Sequence, residues 1–343
     1  MASRGEDSRR PLPLVRRCRK TSAESGSGTL PRRLTASTHI SHLDSRLRRT
    51  TKGRVLDFCI AVAYNDPNHL CNIARTAEEA GFGGIIVSDH IIYPGNLETK
   101  YPYTSHGRPR WEVSTPWPDP MVAIGAMSAV TERIRFICSL YLLALRHPVL
   151  AAKSISTAAV MSNNRLTVGV GAGWMREEFD LMGPDFKTRG KRLNEAITVL
   201  RRVLAGGMVE HHGEFFDFDA VEMSPVPSKP LPIYGGGISP PALRRAATLC
   251  DGWASEIQTT EELTQIQADL ARFRDDSPLA GKPFGICAAL RDVFDADGYK
   301  AMRDRGVTEL ITVPWLFYGD GNQSCEQKCD GIRRFADDVI AHL

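Results

Sequence analysis

From about residue 54 the chain alternates between short β-branched apolar runs and longer stretches whose apolar residues recur every three or four positions. The runs at 55–62 (VLDFCIAV), 83–88, 133–142 (RIRFICSLYL), 165–171, 232–237, 252–256, 283–290 and 309–315 read as strands. Helical patterns follow at 66–81, 119–131, 147–161, 175–183, 189–206, 239–250, 260–276, 295–306 and 326–343, several opening on proline and closing on glycine. Strands that are apolar at nearly every position are buried on both faces, as in a parallel sheet covered by helices. Eight strand–helix units over roughly 290 residues predict a (β/α)8 TIM barrel. A doubly wound sheet is the rival arrangement.

Two stretches interrupt the rhythm. Residues 91–118 (IIYPGNLETKYPYTSHGRPRWEVSTPWP) are aromatic and proline-rich, and they join the second strand to its helix. In a barrel that loop lies on the C-terminal face, where a connection this long serves as a lid or binding loop. Its aromatics, Tyr93, Tyr101, Tyr103, Trp111 and Trp117, suggest a fairly apolar substrate pocket. Residues 208–219 read as a hairpin inserted before the fifth strand. His211 and His212 are adjacent there and point to opposite faces, so both are expected at the surface.

Charge divides the chain. Residues 1–52 hold 13 Lys and Arg against 4 Asp and Glu, whereas the rest holds 30 against 36. The basic segment is rich in Arg, Ser and Pro and lacks apolar periodicity, so residues 1–53 are expected to be a disordered extension ahead of a barrel at 54–343. A transit-peptide-like segment and a nucleic-acid-binding arm are alternatives to a dispensable extension, which is the favoured reading. The body is mildly acidic without a basic stripe, and no nucleic-acid partner is expected. No apolar run approaches the ~20 residues that cross a membrane, and no membrane partner is expected. The eight cysteines are scattered, several inside apolar runs, which suits buried thiols in a reducing cytoplasm. Cys325 and Cys329 form the one close pair, but no second pair or histidine completes a site, so no metal is expected.

Two glycine loops carry the candidate chemistry. TVGVGAGW (167–174) places Gly169, Gly171 and Gly173 at a strand end that opens a helix. Trp174 stands where a dinucleotide fingerprint needs its third glycine, and the next acid at the required range, Glu195, lies within a helix, so that reading fails. No Gly-Lys-Ser/Thr follows, which removes the P-loop. The second loop, YGGGISPP (234–241), ends on Ser239 as a prospective N-cap. Each loop alone is equally well explained as a tight turn. Two anion-friendly loops on one face point to a phosphorylated cofactor or substrate.

The series RLTVGVGAGWMREEFDLMG, FKTRGKRLNEAITVLRRV, GEFFDF, PVPSKPLPIYGGGIS, ALRRAA and DGW, with AGFGGIIVSDH and RIRFICSLYLLALRHPVLAAKSIS upstream, resembles the luciferase-like flavin and deazaflavin oxidoreductases. The match runs over about residues 54–320 and is nearest the branch that uses coenzyme F420. The resemblance implies a (β/α)8 barrel that transfers a hydride between the deazaflavin and an organic substrate. The alternative within the family is an FMN-dependent monooxygenase fed by a partner reductase. A homodimer is also implied.

The resemblance assigns residues too. Asp89 and His90, closing the second strand, would lie beside the cofactor ring, with His90 as a proton or hydrogen-bond donor. Ser139–Leu140 would be a non-prolyl cis bond that props the ring from behind. Gly171, Ala172 and Gly173 would approach the cofactor, and Gly235, Gly236, Gly237, Ile238 and Ser239 would hold its phosphate. A sugar-phosphate dehydrogenase branch carries a catalytic glutamate after the first loop, where this chain has Trp174, expected instead to wall the substrate pocket. Glu177 and Glu178 are expected on a solvated first helical turn. Arg189 and Glu195 are expected to form a structural ion pair, and Lys153 to be structural.

Overall fold

All eight expected strands form and close into one parallel barrel. The computed structural model describes residues 56–319 and 323–343, so the basic extension expected at 1–53 lies outside the described residues. The barrel strands are β1 (Asp57–Ala61), β2 (Gly84–Val87), β3 (Arg135–Tyr141), β4 (Leu166–Val170), β7 (Ile233–Gly236), β8 (Gly252–Gln258), β9 (Gly285–Leu290) and β10 (Glu309–Thr312). They pair in chain order, and β1 beside β10 closes the ring at Cys59 and Ile311. The doubly wound alternative is thereby removed. The expected hairpin is the antiparallel pair β5 (Val209–His212) and β6 (Asp217–Val221).

The helices are α1 (Leu70–Glu79), α2 (Pro120–Ser128), α3 (Pro148–Met161), α4 (Arg176–Met182), α5 (Arg189–Leu204), α6 (Pro240–Leu249), α7 (Thr260–Asp275), α8 (Ala296–Asp304) and α9 (Cys325–Asp338). Their ends follow local chemistry. Asp119 accepts from Met121 N and Val122 N, and Pro120, which has no N–H to satisfy, starts α2. Thr259 with Glu262 and Ser324 with Gln327 form capping boxes on α7 and α9. Gly183 ends α4 in the left-handed region at φ 99°.

Two packed regions result. One lies between the barrel and its helices; the other fills the barrel itself with Cys59, Ile86, Ile137, Tyr234, Ala254 and Cys287. Below them, Tyr234 Oη donates to Glu309 Oε1 at 3.2 Å, and Arg135 bridges Glu309 and Asp57. The bottom of the barrel is therefore plugged, and a chamber opens at the C-terminal ends of the strands. Gly252 and Gly285 make room for the plug: a Cβ on Gly285 would lie 2.0 Å from Tyr234 Oη. Gly285→Ala is expected to destabilise the fold by about 1–3 kcal/mol, measured by denaturant unfolding.

Two register shifts shape the upper rim. Cys138 and Tyr141 of β3 oppose Val168 and Val170 of β4, so Ser139 and Leu140 form a bulge, and the bond between them is cis. On β8 a shift falls between Ala254 and Ile257, beside Glu256. Bulges at a barrel rim re-aim side chains, and both of these do so toward the same cavity.

Candidate active site

The strand ends, the long loop and the two glycine loops enclose a cavity of about 1260 Å³. Of the residues singled out in the sequence, Asp89, His90, Ser139, Leu140, Gly171, Ala172, Gly173, Trp174, Gly236, Gly237, Ile238 and Ser239 all line it. Gly235 does not. It faces outward, where a Cβ would sit 2.8 Å from Ala246 Cα, so its small size serves the packing of α6 on β7. Adjacent strand residues face opposite sides, and Gly236 therefore faces inward.

His90 stands at the end of β2 with its Nδ1 3.1 Å from Glu178 Oε1. The same oxygen accepts Ile91 N at 2.7 Å. Glu178 is fully buried, so the expectation of a solvated turn fails for it. Its position explains this: Met175 and Phe179, on the same stripe, are also fully buried, which puts Glu178 on the inward face of α4. That spacing was present in the sequence and is the signal that would have found it. An acceptor at Nδ1 places the proton there and leaves Nε2 as the ring's lone-pair nitrogen. Nε2 has no hydrogen-bond partner among the described residues.

Asp89 is committed elsewhere. Its carboxylate holds Arg146 at 2.6 and 3.1 Å and accepts Leu142 N at 2.9 Å. Burial pushes its carboxyl up from the usual range, against the pull of Arg146. Asp89 thus ties β2 to the segment after β3 and steadies the neighbouring His90 and Leu140.

The loop between β2 and α2 folds over the chamber as an aromatic wall. His90 is ringed by Trp111, Trp117 and Trp174 at 5.0, 4.8 and 5.9 Å between centroids. Tyr101 packs edge-on against Trp111 and Trp174, and Tyr64 stacks on Trp111. Burial, reinforced by Glu256, pushes the Tyr103 hydroxyl up to about 12 and Tyr101 further, so both stay neutral. The wall is fixed at two places. Glu177 accepts Glu98 N at 2.8 Å and Thr99 N at 2.9 Å, and Arg110 pairs with Glu256 at 2.8 Å across the mouth. Glu177 is therefore a loop anchor rather than a solvated acid. Removing Arg110 (Arg110→Ala) is expected to loosen the loop and raise KM about threefold to tenfold with a smaller change in kcat, read from steady-state kinetics.

The glycine-loop side is basic. Arg189 donates to Gly173 O at 3.2 Å and to Phe186 O at 2.8 Å, and Arg245 donates to Gly190 O at 3.1 Å. Neither pairs with a carboxylate among the described residues. Burial pulls both guanidinium groups down from their ordinary value, and Arg189 also feels Arg176. Both would gain from a bound anion. The expected Arg189–Glu195 pair is not formed. Glu195 instead holds His211 Nε2 at 3.1 Å and the backbone N–H groups of Phe215 and Phe216, which fastens the hairpin to α5. His211 is accordingly part-buried, and only His212 is a surface residue. Lys153 donates to Ser224 O, a structural contact. Ser239 precedes α6 but makes no side-chain cap, and Pro240 and Pro241 bring no N–H. The hydroxyl of Ser239 and the N–H groups of 237–239 are the polar groups this loop presents.

The closed parallel barrel thus carries a nearly buried histidine–glutamate pair, a bulged third strand and two glycine loops at its mouth, and its relatives make it an oxidoreductase or monooxygenase. The chain belongs to the luciferase-like monooxygenase family, whose model matches residues 42–318. It is 37% identical over 291 residues to an uncharacterized protein of Mycobacterium tuberculosis, covering 83% of this chain and 99% of that one. It is 30% identical over 246 residues to an F420-dependent glucose-6-phosphate dehydrogenase of Nakamurella multipartita, covering 69% and 67%. A monooxygenase from Streptomyces bottropensis shares the fold, with a TM-score of 0.63 at 17% identity over 83% of this chain and 99% of that one. No helix among the described residues is long and apolar enough to cross a membrane, and no described group of His, Cys, Asp or Glu forms a metal cluster.

Proposed function

We propose that the chain is a coenzyme F420-dependent oxidoreductase that moves a hydride between the deazaflavin and a neutral organic substrate. The observation that carries this reading is the convergence of the His90–Glu178 pair, the Leu140 bulge and the basic glycine loops on one chamber. When bound, the deazaflavin supplies or accepts the hydride. The rest is work for this chain's side chains. Leu140, with Ser139, forms the bed for the ring, and Gly171, Ala172 and Gly173 allow close approach. Gly236, Gly237, Ile238 and Ser239, with Arg189 and Arg245 nearby, receive a phosphate, while Gly235 supports them from the helix side. His90 Nε2 takes the substrate's hydroxyl proton on oxidation, or returns one on reduction, and Glu178 offsets the charge the ring gains. Asp89 is a positioning residue. Trp174 walls the substrate, since an indole N–H is not acidic enough to serve as a proton donor.

That wall argues against glucose 6-phosphate, the substrate in the name of the Nakamurella relative. In this aromatic chamber Arg110 already holds Glu256, and the lid cation of its lining left without an ion-pair partner among the described residues is the exposed Lys100. The second reading is an FMN-dependent monooxygenase supplied by a reductase partner, favoured by the aromatic loop, which would shield a reactive intermediate from water. A homodimer acting in the cytoplasm accompanies either reading. The buried free thiols Cys59, Cys138, Cys250 and Cys287 suit such a reducing compartment.

The test is a titration of the purified protein with coenzyme F420 and, separately, FMN, followed by cofactor fluorescence. Tight binding of the deazaflavin alone is expected. Preference for FMN would favour the monooxygenase, and binding of neither would overturn both.

A further inference from the structure

The mouth of the chamber has two unlike halves. The β4 and β7 side carries the glycine loops with Arg189 and Arg245, whereas the β8, β9 and β10 side is apolar. On that side Ile257, Phe294, Leu316 and Phe317 line the cavity yet stand 42%, 61%, 53% and 44% exposed. Large apolar groups left in water together mark an interaction surface, and here the surface belongs to the lining of the cavity. The rim leads inward over Leu290 and Val293. From there the lining passes to Phe58, Tyr299 and Leu310, all buried beneath the rim. Of the charges on this half, the pair nearest the aromatic box is engaged, whereas Lys328 and Lys100 have no carboxylate partner among the described residues. Arg110 and Glu256 neutralise each other, Lys328 lies over the Trp315 ring, and Lys100 is exposed on the lid.

From this we infer that the substrate is an uncharged molecule with an extended hydrocarbon portion, its reacting end in the aromatic box at His90 and its chain along the β9–β10 rim. A sugar or a short alcohol would leave the rim in water. A carboxylate or phosphate head would meet Arg110 only by displacing Glu256. The inference rests on the chamber being the substrate site of the proposed redox enzyme, but its test needs no turnover.

The experiment titrates the full chain without cofactor with a series of 2-alkanones from six to twelve carbons and with alkanoates of equal length. Binding is followed by tryptophan fluorescence, because Trp111, Trp117, Trp174 and Trp315 line the cavity. For the ketones, Kd is expected to fall about threefold to fourfold per added methylene, while the alkanoates bind at least about tenfold more weakly. In the double variant Phe294→Ser/Leu316→Ser the dependence is expected to drop below about twofold per carbon, with circular dichroism confirming the fold. A Kd independent of length, equal binding of ketones and alkanoates, or an unchanged slope in the variant would each overturn the inference. A steep series in a protein that binds neither F420 nor FMN would leave this inference standing and remove the redox reading.

Discussion

Gly236→Val is expected to weaken cofactor binding at least about a hundredfold and to destabilise the barrel by about 1–3 kcal/mol. A Cβ at this position would lie 2.0 Å from Leu140 Cδ1 and 2.4 Å from Cδ2. Leu140 cannot retreat. A Cβ on Gly171 would already sit 3.1 Å from Cδ1, and one on Gly169 3.3 Å from Cδ2. Three glycines thus form a socket for one leucine, and a side chain at 236 drives Leu140 into the space proposed for the ring. The measurements are cofactor fluorescence titration and denaturant unfolding. Gly235→Ala is the control, because its Cβ would press on Ala246 and Cys250 behind the strand. It is expected to lower stability with less than about a threefold change in Kd. Wild-type affinity in a folded Gly236→Val protein would remove Leu140 from the ring's bed.

That socket also answers what the glycine loops are for. Read in the sequence, TVGVGAGW and YGGGISPP suggest phosphate cradles. In the fold, Gly171 and Gly236 first clear space for Leu140, while Gly237, Ile238 and Ser239 line the cavity beyond them, the Gly237 carbonyl being held by the Trp253 indole. The alternation of apolar runs and amphipathic stretches made the eight strands, the hairpin and the lid legible, because burial on both faces leaves a pattern within each segment. The bulge at Ser139–Leu140 left no local mark and came only through family resemblance. Pairs formed between distant segments were hidden for a related reason. Nothing near Arg110 announces Glu256, and nothing near Asp89 announces Arg146. Glu195 illustrates the opposite error: the family pattern it shares with Arg189 suggested a pair, but the hairpin folds back and its N–H groups take the carboxylate. Glu178 was legible in part, since its place on the buried stripe of α4 follows from Met175 and Phe179. A carboxylate on that stripe must have a partner, and only the folded chain shows that it is His90.

His90→Ala is expected to lower kcat by about 10²–10⁴-fold while the barrel stays folded, because the ring packs against the lid and its loss removes no backbone support. Glu178 separates proton handling from simple packing. In Glu178→Gln the amide oxygen must face His90 Nδ1 and Ile91 N, since one carboxylate oxygen serves both. The tautomer is then preserved, but the negative charge that offsets a protonated ring is gone. The other oxygen, Oε2, is buried without a partner among the described residues, so the amide nitrogen would sit there unsatisfied. The expected result is a fall in kcat of about 10–100-fold with less than about a threefold change in cofactor Kd. Glu178→Ala removes the acceptor of Ile91 N as well, and is expected to lose about 1–3 kcal/mol of stability in addition to kcat. If Glu178→Gln turned over like wild type while Glu178→Ala lost only stability, Glu178 would be a loop anchor and His90 would act without its charge. A parallel fall in kcat for His90→Ala and Glu178→Gln, with no further fall in the double variant, would show that the two side chains act as one unit.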